Sequence, residues 1–292
     1  MWYSFVVILH DLGKDGFLMS RIIKAVLLAV GLAVCAYSGM QNGTGMIWVL
    51  YLLIFIAGFI DAIAGGGGLI SLSAYYAVGL PPHIALGTNK FSSSMGTIVA
   101  AGRFIVSGNV QWRSAVLAIV GAMAGSAAGA RLALMLDEKY LQYVMLVLVP
   151  AVALFVIFKK DFGAPSKQMS PTAMQVCSLI TGLIIGCYDG FFGPGTGTFL
   201  TIVFTSVIGF DMVTACGNTK VVNLASNLAA LATFVLHGNI NYQIAVPCAV
   251  CGIMGCYLGA GLAIQKGTKI VRPIMLVVVL LLLVKIGGDL FV

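Results

Sequence analysis

The chain consists of long apolar runs separated by glycine, proline and charged residues. The runs are continuously apolar and do not alternate with polar positions, so they predict spanning helices and exclude the strands of a membrane barrel. The sequence therefore predicts an all-α polytopic membrane protein. The predicted helices lie near residues 22–39, 46–63, 69–80, 87–107, 113–136, 140–158, 175–190, 196–210, 217–236, 243–265 and 270–288.

Composition supports the same class. Of the 292 residues, 60% are hydrophobic and 9% are charged, and the mean hydropathy is +1.06, whereas soluble domains contain about 25% charged residues. A water-soluble fold is therefore excluded, and spanning helices of about 20 residues leave no room for a separate soluble domain. The net charge of +7 fits basic cytoplasmic loops, so nucleic-acid binding is disfavoured.

An internal repeat organises the chain. The sequence GFID at 58–61 matches GCYD at 186–189, and a glycine cluster follows each copy. From Gly87 onward, matching residues such as Gly87 and Gly217 lie 130 positions apart. One unit of five segments therefore occurs twice. The predicted divisions are an N-terminal extension with an anchor helix at 1–44, repeat 1 at 45–158, a cytoplasmic linker at 159–174 and repeat 2 at 175–292.

Loop charges predict the orientation of the repeats. The linker, the loop at 266–272 and the loop that contains Arg113 are basic, which indicates the cytoplasmic side. The loop at 237–242 matches the Arg113 loop but has no formal charge, which indicates the outside. Matching loops on opposite sides predict inverted-topology repeats, an arrangement typical of secondary transporters. The segment at 69–80 is short for a crossing, so we expect a broken or half helix there.

Four charged residues lie beside or within apolar segments, at matching places in the two repeats: Asp61, Lys90, Asp189 and Lys220. Each costs roughly 2.5–3.5 kcal/mol at the centre of a spanning helix, so each needs a partner or a polar cavity. One interpretation is a structural ion pair within each repeat, Asp61 with Lys90 and Asp189 with Lys220. We favour a functional role, in which the lysines bind an anionic substrate and the aspartates bind a coupling ion, either Na+ or a proton.

The glycine clusters predict interruptions in two helices. AGGGGL at 64–69 and GPGTGT at 193–198 do not favour continuous helix, because each glycine costs about 1 kcal/mol against alanine. A helix that restarts at membrane depth directs free N–H groups and a partial positive charge at the break, which favours an anion. We expect Pro194 at a helix start and hydroxyl donation to the anion from Ser71, Ser73, Thr196 and Thr198.

Amide and hydroxyl residues follow each break. GTNK at 87–90 and GNTK at 217–220 precede Asn223 and Asn227, which share one helix face; contacts between helices explain that pair equally well. The predicted substrate-binding residues are Gly65, Gly66, Gly67, Gly68, Ser71, Asn89, Lys90, Gly193, Gly195, Thr196, Gly197, Asn218, Lys220 and Asn223; the predicted coupling-ion residues are Asp61 and Asp189.

Four of these stretches also carry a family resemblance. AGFIDAIAGGGGLISL, GLPPHIALGTNK, GCYDGFFGPGTGTF and KVVNLASN resemble the TauE/SafE family of membrane transporters, and most closely its YfcA-type branch. The resemblance covers roughly residues 45–290. It implies a multi-pass carrier of the bacterial inner membrane that moves small sulfur-containing or organic anions, such as sulfite or sulfonates.

The sequence leaves two other functions open. A passive anion channel is one alternative, and an intramembrane aspartyl protease with Asp61 and Asp189 as its dyad is a less favoured one. The sequence contains no metal-binding or nucleophile motif, so we expect no enzyme activity, metal or cofactor beyond the coupling ion. The face formed by Gly121, Gly125 and Gly129 indicates close helix packing, and such faces leave room for a homodimer.

Overall fold

The computed structural model describes residues 45–137, 139–140, 169–271 and 273–274. This part of the chain is helical, without strands, and contains eight helices of eleven residues or more. They are α1 (Gly45–Ala64), α2 (Gly67–Ala77), α3 (Pro82–Val106), α4 (Trp112–Met135), α5 (Pro171–Phe191), α6 (Thr196–Ser206), α7 (Met212–Leu236) and α8 (Tyr242–Lys266). The predicted helices at 22–39, 140–158 and 270–288 lie wholly or mostly outside the described residues.

Five of these helices, α1, α4, α5, α7 and α8, are long and apolar enough to cross a membrane. Large apolar side chains on their outer faces, such as Leu52, Val120 and Leu258, are exposed, as expected where lipid replaces water. The chain is a multi-pass membrane protein. Helices α1–α4 have 20, 11, 25 and 24 residues, and α5–α8 have 21, 11, 25 and 25. The two halves therefore repeat the same order of elements, while their opposite orientation in the membrane stays a prediction.

The second helix of each half is short. Helices α2 and α6 have 11 residues each, which at a rise of about 1.5 Å per residue gives a length of about 16 Å. A hydrocarbon core of about 30 Å is roughly twice as thick. The short segment expected at 69–80 is therefore confirmed, with α2 beginning at Gly67 and ending three residues before the predicted end. The second short helix was not expected, because α6 ends at Ser206, four residues before the predicted end at 210.

The third helix of each half begins five residues earlier than predicted, at Pro82 and Met212. Pro82 occupies the first helical turn, where a missing N–H costs nothing. The Asp211 side chain caps α7 by accepting hydrogen bonds from the N–H groups of Val213 and Thr214, at 3.0 and 3.1 Å. The start signals are therefore local and precede the apolar run.

Small residues join α4 to α5 and α8 to α1. A Cβ at Gly125 would lie 2.1 Å from the carbonyl oxygen of Leu183, and one at Gly190 would lie 2.0 Å from that of Ser126. Gly121 and Gly129 meet α5 in the same way, so the predicted packing face is confirmed. These glycines pack against another helix of the same chain. The predicted homodimer would therefore form through another surface.

The two halves interlock through matching loop contacts. A Cβ at Gly87 would lie 1.9 Å from the carbonyl oxygen of Asn239, and one at Gly217 would lie 1.8 Å from that of Asn109. Next to the second contact, the Gln111 N–H donates a 3.0 Å hydrogen bond to the side-chain oxygen of Asn218. Each half therefore supports the start of the third helix of the other half.

Candidate functional site

The two helix interruptions contact each other inside the bundle. A Cβ at Gly65 would lie 2.4 Å from the Cα of Gly197, and one at Gly68 would lie 3.2 Å from the Cα of Pro194. The hydroxyl of Thr198 donates a 2.9 Å hydrogen bond to the carbonyl oxygen of Ala64. The starts of α2 and α6 therefore lie side by side, although about 130 residues separate them in the chain.

Backbone conformation explains why glycine occupies these interruptions. Gly65, Gly193 and Gly195 have φ angles of 77°, 96° and 85°, a region that other residues adopt only at a cost of about 1–2 kcal/mol. Gly195 is the residue that precedes α6, and α6 begins at Thr196. Pro194 therefore lies two residues before the helix and not at its start, which corrects the prediction for that residue.

The buried charges form ion pairs between the repeats. Lys90 of the first half contacts Asp189 of the second, with Nζ 2.9 Å from Oδ2. Lys220 of the second half contacts Asp61 of the first, with Nζ 3.0 Å from Oδ2. The structural alternative for these four residues, a pair within each repeat, was therefore wrong about the partners. Asp61 and Asp189 lie in the last turns of α1 and α5, next to the two interruptions. Because the interruptions contact each other, each aspartate lies close to the lysine of the other half.

Asp189 is enclosed by hydrogen-bond donors. Its carboxylate accepts a 2.5 Å hydrogen bond from the Ser226 hydroxyl in addition to the contact with Lys90, and its side chain is 3% exposed. Lys90 also donates to the side-chain oxygen of Asn227 at 3.0 Å. A buried pair needs such additional hydrogen bonds to offset the loss of hydration.

Asp61 is more open. Its side chain is 19% exposed. Lys220 donates to its carboxylate and also to the main-chain carbonyl of Asp61 itself. The ammonium group thus lies at the carboxyl end of α1, where the helix dipole favours a cation. The two ion pairs match in sequence but differ in solvation.

A polar cavity of about 30 Å³ lies where the interruptions meet. The carboxamide of Asn223 faces it; this residue is 5% exposed, and its side-chain oxygen has no hydrogen-bond partner among the described residues. Lys90 also lines the cavity, and a Cβ at Gly193 would lie 3.2 Å from its Nζ. An ammonium group, two helix N-termini and one unpaired amide oxygen therefore surround one space.

Most of the predicted residues line this cavity. They are Asp61, Gly65, Gly68, Asn89, Lys90, Asp189, Gly193, Thr196, Gly197 and Asn223. The other predicted residues, which do not line it, are Gly66, Gly67, Ser71, Gly195, Asn218 and Lys220. The expectation that both lysines surround one anion differs from the structure, because the Lys220 ammonium binds Asp61 at the end of α1.

The hydroxyl groups differ from their predicted role. Thr196 donates to the carbonyl oxygen of Gly193 at 2.7 Å, Thr198 to that of Ala64, and Ser71 to the side-chain oxygen of Asn89 at 2.7 Å. A hydroxyl has one hydrogen to donate. These three groups therefore present acceptor lone pairs, and the expectation that they donate to an anion was wrong for this conformation.

Two residues that contribute to the site were not among the predicted binding residues. Ser93 lines the cavity, and the Tyr188 hydroxyl donates a 2.5 Å hydrogen bond to the carbonyl oxygen of Pro194, which fixes the loop before α6. The repeat could have identified Ser93, because it matches Asn223 at the 130-residue spacing. No sequence pattern indicates the Tyr188 contact.

The fold and the cavity define a polytopic membrane protein with charged and polar groups at helix interruptions inside its bundle, an arrangement found in secondary transporters. Residues 50–286 match the family described as sulfite exporter TauE/SafE, and the chain belongs to this membrane transporter family.

Known relatives extend over most of the chain. A probable membrane transporter protein of Haemophilus influenzae is 32% identical over 250 residues, which cover 86% of this chain and 98% of the relative. The probable membrane transporter protein YfcA of Escherichia coli is 33% identical and covers 80% of this chain and 86% of its own length. The probable membrane transporter protein ORF9 of Sinorhizobium sp is 33% identical, with coverages of 82% and 92%. No solved structure matches the chain significantly.

Proposed function

We propose that the protein is a secondary transporter that moves small organic or sulfur-containing anions, such as sulfonates or sulfite, across the bacterial inner membrane by alternating access. The observation that carries this proposal is the meeting of two helix N-termini and the Lys90 ammonium at one cavity. Each of these groups favours an oxyanion in a medium where water does not compete.

The size of the cavity supports alternating access. A cavity needs about 10–15 Å³ to hold one water molecule, so 30 Å³ holds a bare ion or a few atoms, and a sulfonate requires expansion. Both interruptions are glycine-rich and short. Helix α1 packs closely on α8, and α4 packs closely on α5. Rigid-body movement of the α1–α8 pair against the α4–α5 pair would open the site to one side at a time.

Charge balance indicates how the anion enters. The ion pairs Lys90–Asp189 and Lys220–Asp61 cancel, so a bound anion adds one net negative charge to a buried site. Such a charge is costly at membrane depth unless a cation accompanies it. The proposal therefore includes a coupling cation at the aspartates, with Asp61 and Asp189 as the candidate residues.

The geometry favours a carrier over the alternatives that the sequence left open. The cavity has a volume of about 30 Å³ and holds only a bare ion or a few atoms, which favours a carrier that must change shape over a passive channel. Each aspartate pairs with a lysine and not with the other aspartate, whereas a protease dyad shares a proton between two carboxyl groups.

A ligand-stabilisation screen tests the proposal. The purified protein is unfolded by heat in the presence of sulfite, thiosulfate, alkyl sulfonates or carboxylates, each with and without Na+. An anion that binds the native state raises the unfolding temperature by mass action. We expect at least one class of oxyanion to do so in the wild type and to lose most of its effect in the double variant Lys90→Met with Asp189→Asn, which removes the cavity ammonium together with its counter-charge. If no anion stabilises the wild type more than chloride does, the proposed substrate class is wrong.

A further inference from the structure

A second cavity adjoins the central one and has a different lining. It also measures about 30 Å³ and lies between α1, α2, α3 and α8. Asp61, Gly68 and Ser93 line both cavities, so the two spaces are neighbours. Polar groups supply most of the surface of the central cavity, whereas carbon atoms, such as those of Ile54 and Ala57, supply most of the surface of the second one. An apolar space therefore lies directly beside the proposed anion site.

The polar groups in the wall of the second cavity already have partners. Four hydroxyl groups line it, and each donates to an oxygen of the chain; they belong to Ser71, Ser92, Ser93 and Thr97. The Asp61 carboxylate accepts a 3.0 Å hydrogen bond from Lys220. The wall thus has no hydroxyl hydrogen left for a charged guest, and burial of a polar group without a hydrogen bond is costly. The cavity therefore favours an apolar occupant.

Gly252 keeps space open in this cavity without a packing reason. On the same helix, a Cβ at Gly255 would lie 2.1 Å from the carbonyl oxygen of Phe55, so contact with α1 requires glycine there. A Cβ at Gly252 would have only two neighbours, the carbonyl oxygen of Ser92 at 3.5 Å and Cγ2 of Ile54 at 3.8 Å, which are ordinary contact distances. Gly252 therefore leaves unfilled a space the size of a methyl group.

The other half of the molecule has larger residues at the matching positions. Ala122 matches Gly252, and its side chain is fully buried. Ser226 matches Gly96, which also lines the second cavity, and Ser226 is buried as well. The second half thus has side-chain atoms where the first half has glycines. Room for an additional group is therefore a property of the first half that the repeat alone does not explain.

We propose that the second cavity holds the short apolar tail of the transported anion, whose charged group lies in the central cavity beside Lys90. This inference deepens the proposed function and rests on it. Because a group the size of a water molecule needs about 10–15 Å³, the volume of about 30 Å³ accepts two or three carbon atoms. The substrate class is therefore a monoanion with a straight tail of two or three carbons, such as ethanesulfonate or propanesulfonate. Sulfite lacks the tail, and a dianion would place its second charge in the apolar space.

Calorimetric titration of the purified full chain with a series of alkanesulfonates tests the tail site. Each added carbon should raise the affinity about fourfold, which is the effect of burying one methylene group. We expect this rise from methanesulfonate to propanesulfonate and a fall at butanesulfonate. The ion 2-aminoethanesulfonate has the length of propanesulfonate but ends in an ammonium group, so it should bind more weakly than propanesulfonate.

Gly252→Ala fills the space of about one carbon atom without a collision. It should lower the affinity for propanesulfonate at least about fourfold and leave the affinity for methanesulfonate unchanged. Gly102→Ala is the matched control, because Gly102 also lies within a helix, has no atom within 4 Å of its Cβ position and lines neither cavity. Ile54→Val removes a carbon atom from the wall, so it should shift the tightest binding toward butanesulfonate. This second variant decides the matter if Gly252→Ala does not fold.

The outcomes separate the tail site from the proposed function. If sulfonates bind with an affinity that does not depend on tail length, or if both cavity variants change all affinities equally, the tail site is overturned and the anion carrier stands. Tighter binding of sulfite or of 2-aminoethanesulfonate than of propanesulfonate also overturns the tail site, as does a loss in Gly102→Ala equal to that in Gly252→Ala. If propanesulfonate binds as described but shows no transport, the proposed transport fails and the tail site stands.

Discussion

The crossed ion pairs make a quantitative prediction for Lys90. Its ammonium lies 2.9 Å from Asp189 Oδ2 with both side chains 3% exposed, so Lys90→Met leaves a buried carboxylate with only the Ser226 hydrogen bond. Removing one partner of a buried pair costs about 3–5 kcal/mol. Asp189→Asn in the same chain removes the orphaned charge and should recover about 2–3 kcal/mol of that loss.

The comparison pair is Lys90→Met with Asp61→Asn. These two substitutions leave both Asp189 and Lys220 unpaired. The two losses in the free energy of unfolding should therefore add to within about 1 kcal/mol. Reversible unfolding in mixed micelles, followed by circular dichroism, gives the four free energies that each double-mutant cycle needs. A coupling energy for Lys90 with Asp61 that exceeds the one for Lys90 with Asp189 would refute the crossed pairing.

Three further predictions concern glycine and amide contacts. The two glycine predictions compare matched variants in the same unfolding assay, and the third also measures anion binding. Gly65→Ala should cost more than about 2 kcal/mol, because its Cβ meets Gly197, whereas Gly79→Ala, with a φ of 83° and open space around it, should cost about 1–2 kcal/mol; equal costs would contradict contact between the interruptions. Gly125→Ala should destabilise by about 1–3 kcal/mol through collision with α5, while Gly102→Ala, in an open helical position, should stabilise by up to about 1 kcal/mol. Asn218→Ala should lower stability without changing anion affinity, because the Asn218 side chain accepts a hydrogen bond from the Gln111 N–H and does not line the central cavity; weaker anion binding by folded Asn218→Ala would favour the assignment made from sequence.

Much of the architecture could be predicted from the sequence because lipid imposes strong constraints. A continuous apolar run satisfies its backbone hydrogen bonds within a membrane by forming a helix. Glycine clusters such as 65–68 disfavour a continuous helix. The helix interruptions, the short segment at 69–80 and the small-residue contacts of α4 were therefore predictable. Helix starts were less so, because Pro82 and Asp211 act outside the apolar runs from which boundaries were read.

The partners of the charged residues could not be predicted. The repeat gives Asp61 and Asp189 similar neighbours in sequence, and the contacts between the two interruptions, such as that of Gly65 with Gly197, bring each aspartate to the lysine of the other half. Hydroxyl roles also depend on local acceptors: Thr196 lies close to the Gly193 carbonyl, which takes its hydrogen. Such details arise from tertiary geometry, which repeats and spacing do not encode.

The central claim is that two helix interruptions form one anion site that faces the two sides of the membrane in turn. The most direct test is counterflow: proteoliposomes containing the wild-type chain are loaded with an unlabelled anion that stabilises the protein and are diluted into a trace of the labelled anion. We expect the label to accumulate transiently inside above its outside concentration, and we expect no such accumulation in protein-free liposomes. Entry that never exceeds equilibrium indicates a channel, and no protein-dependent entry at all indicates that the chain does not carry these anions; either result contradicts the account.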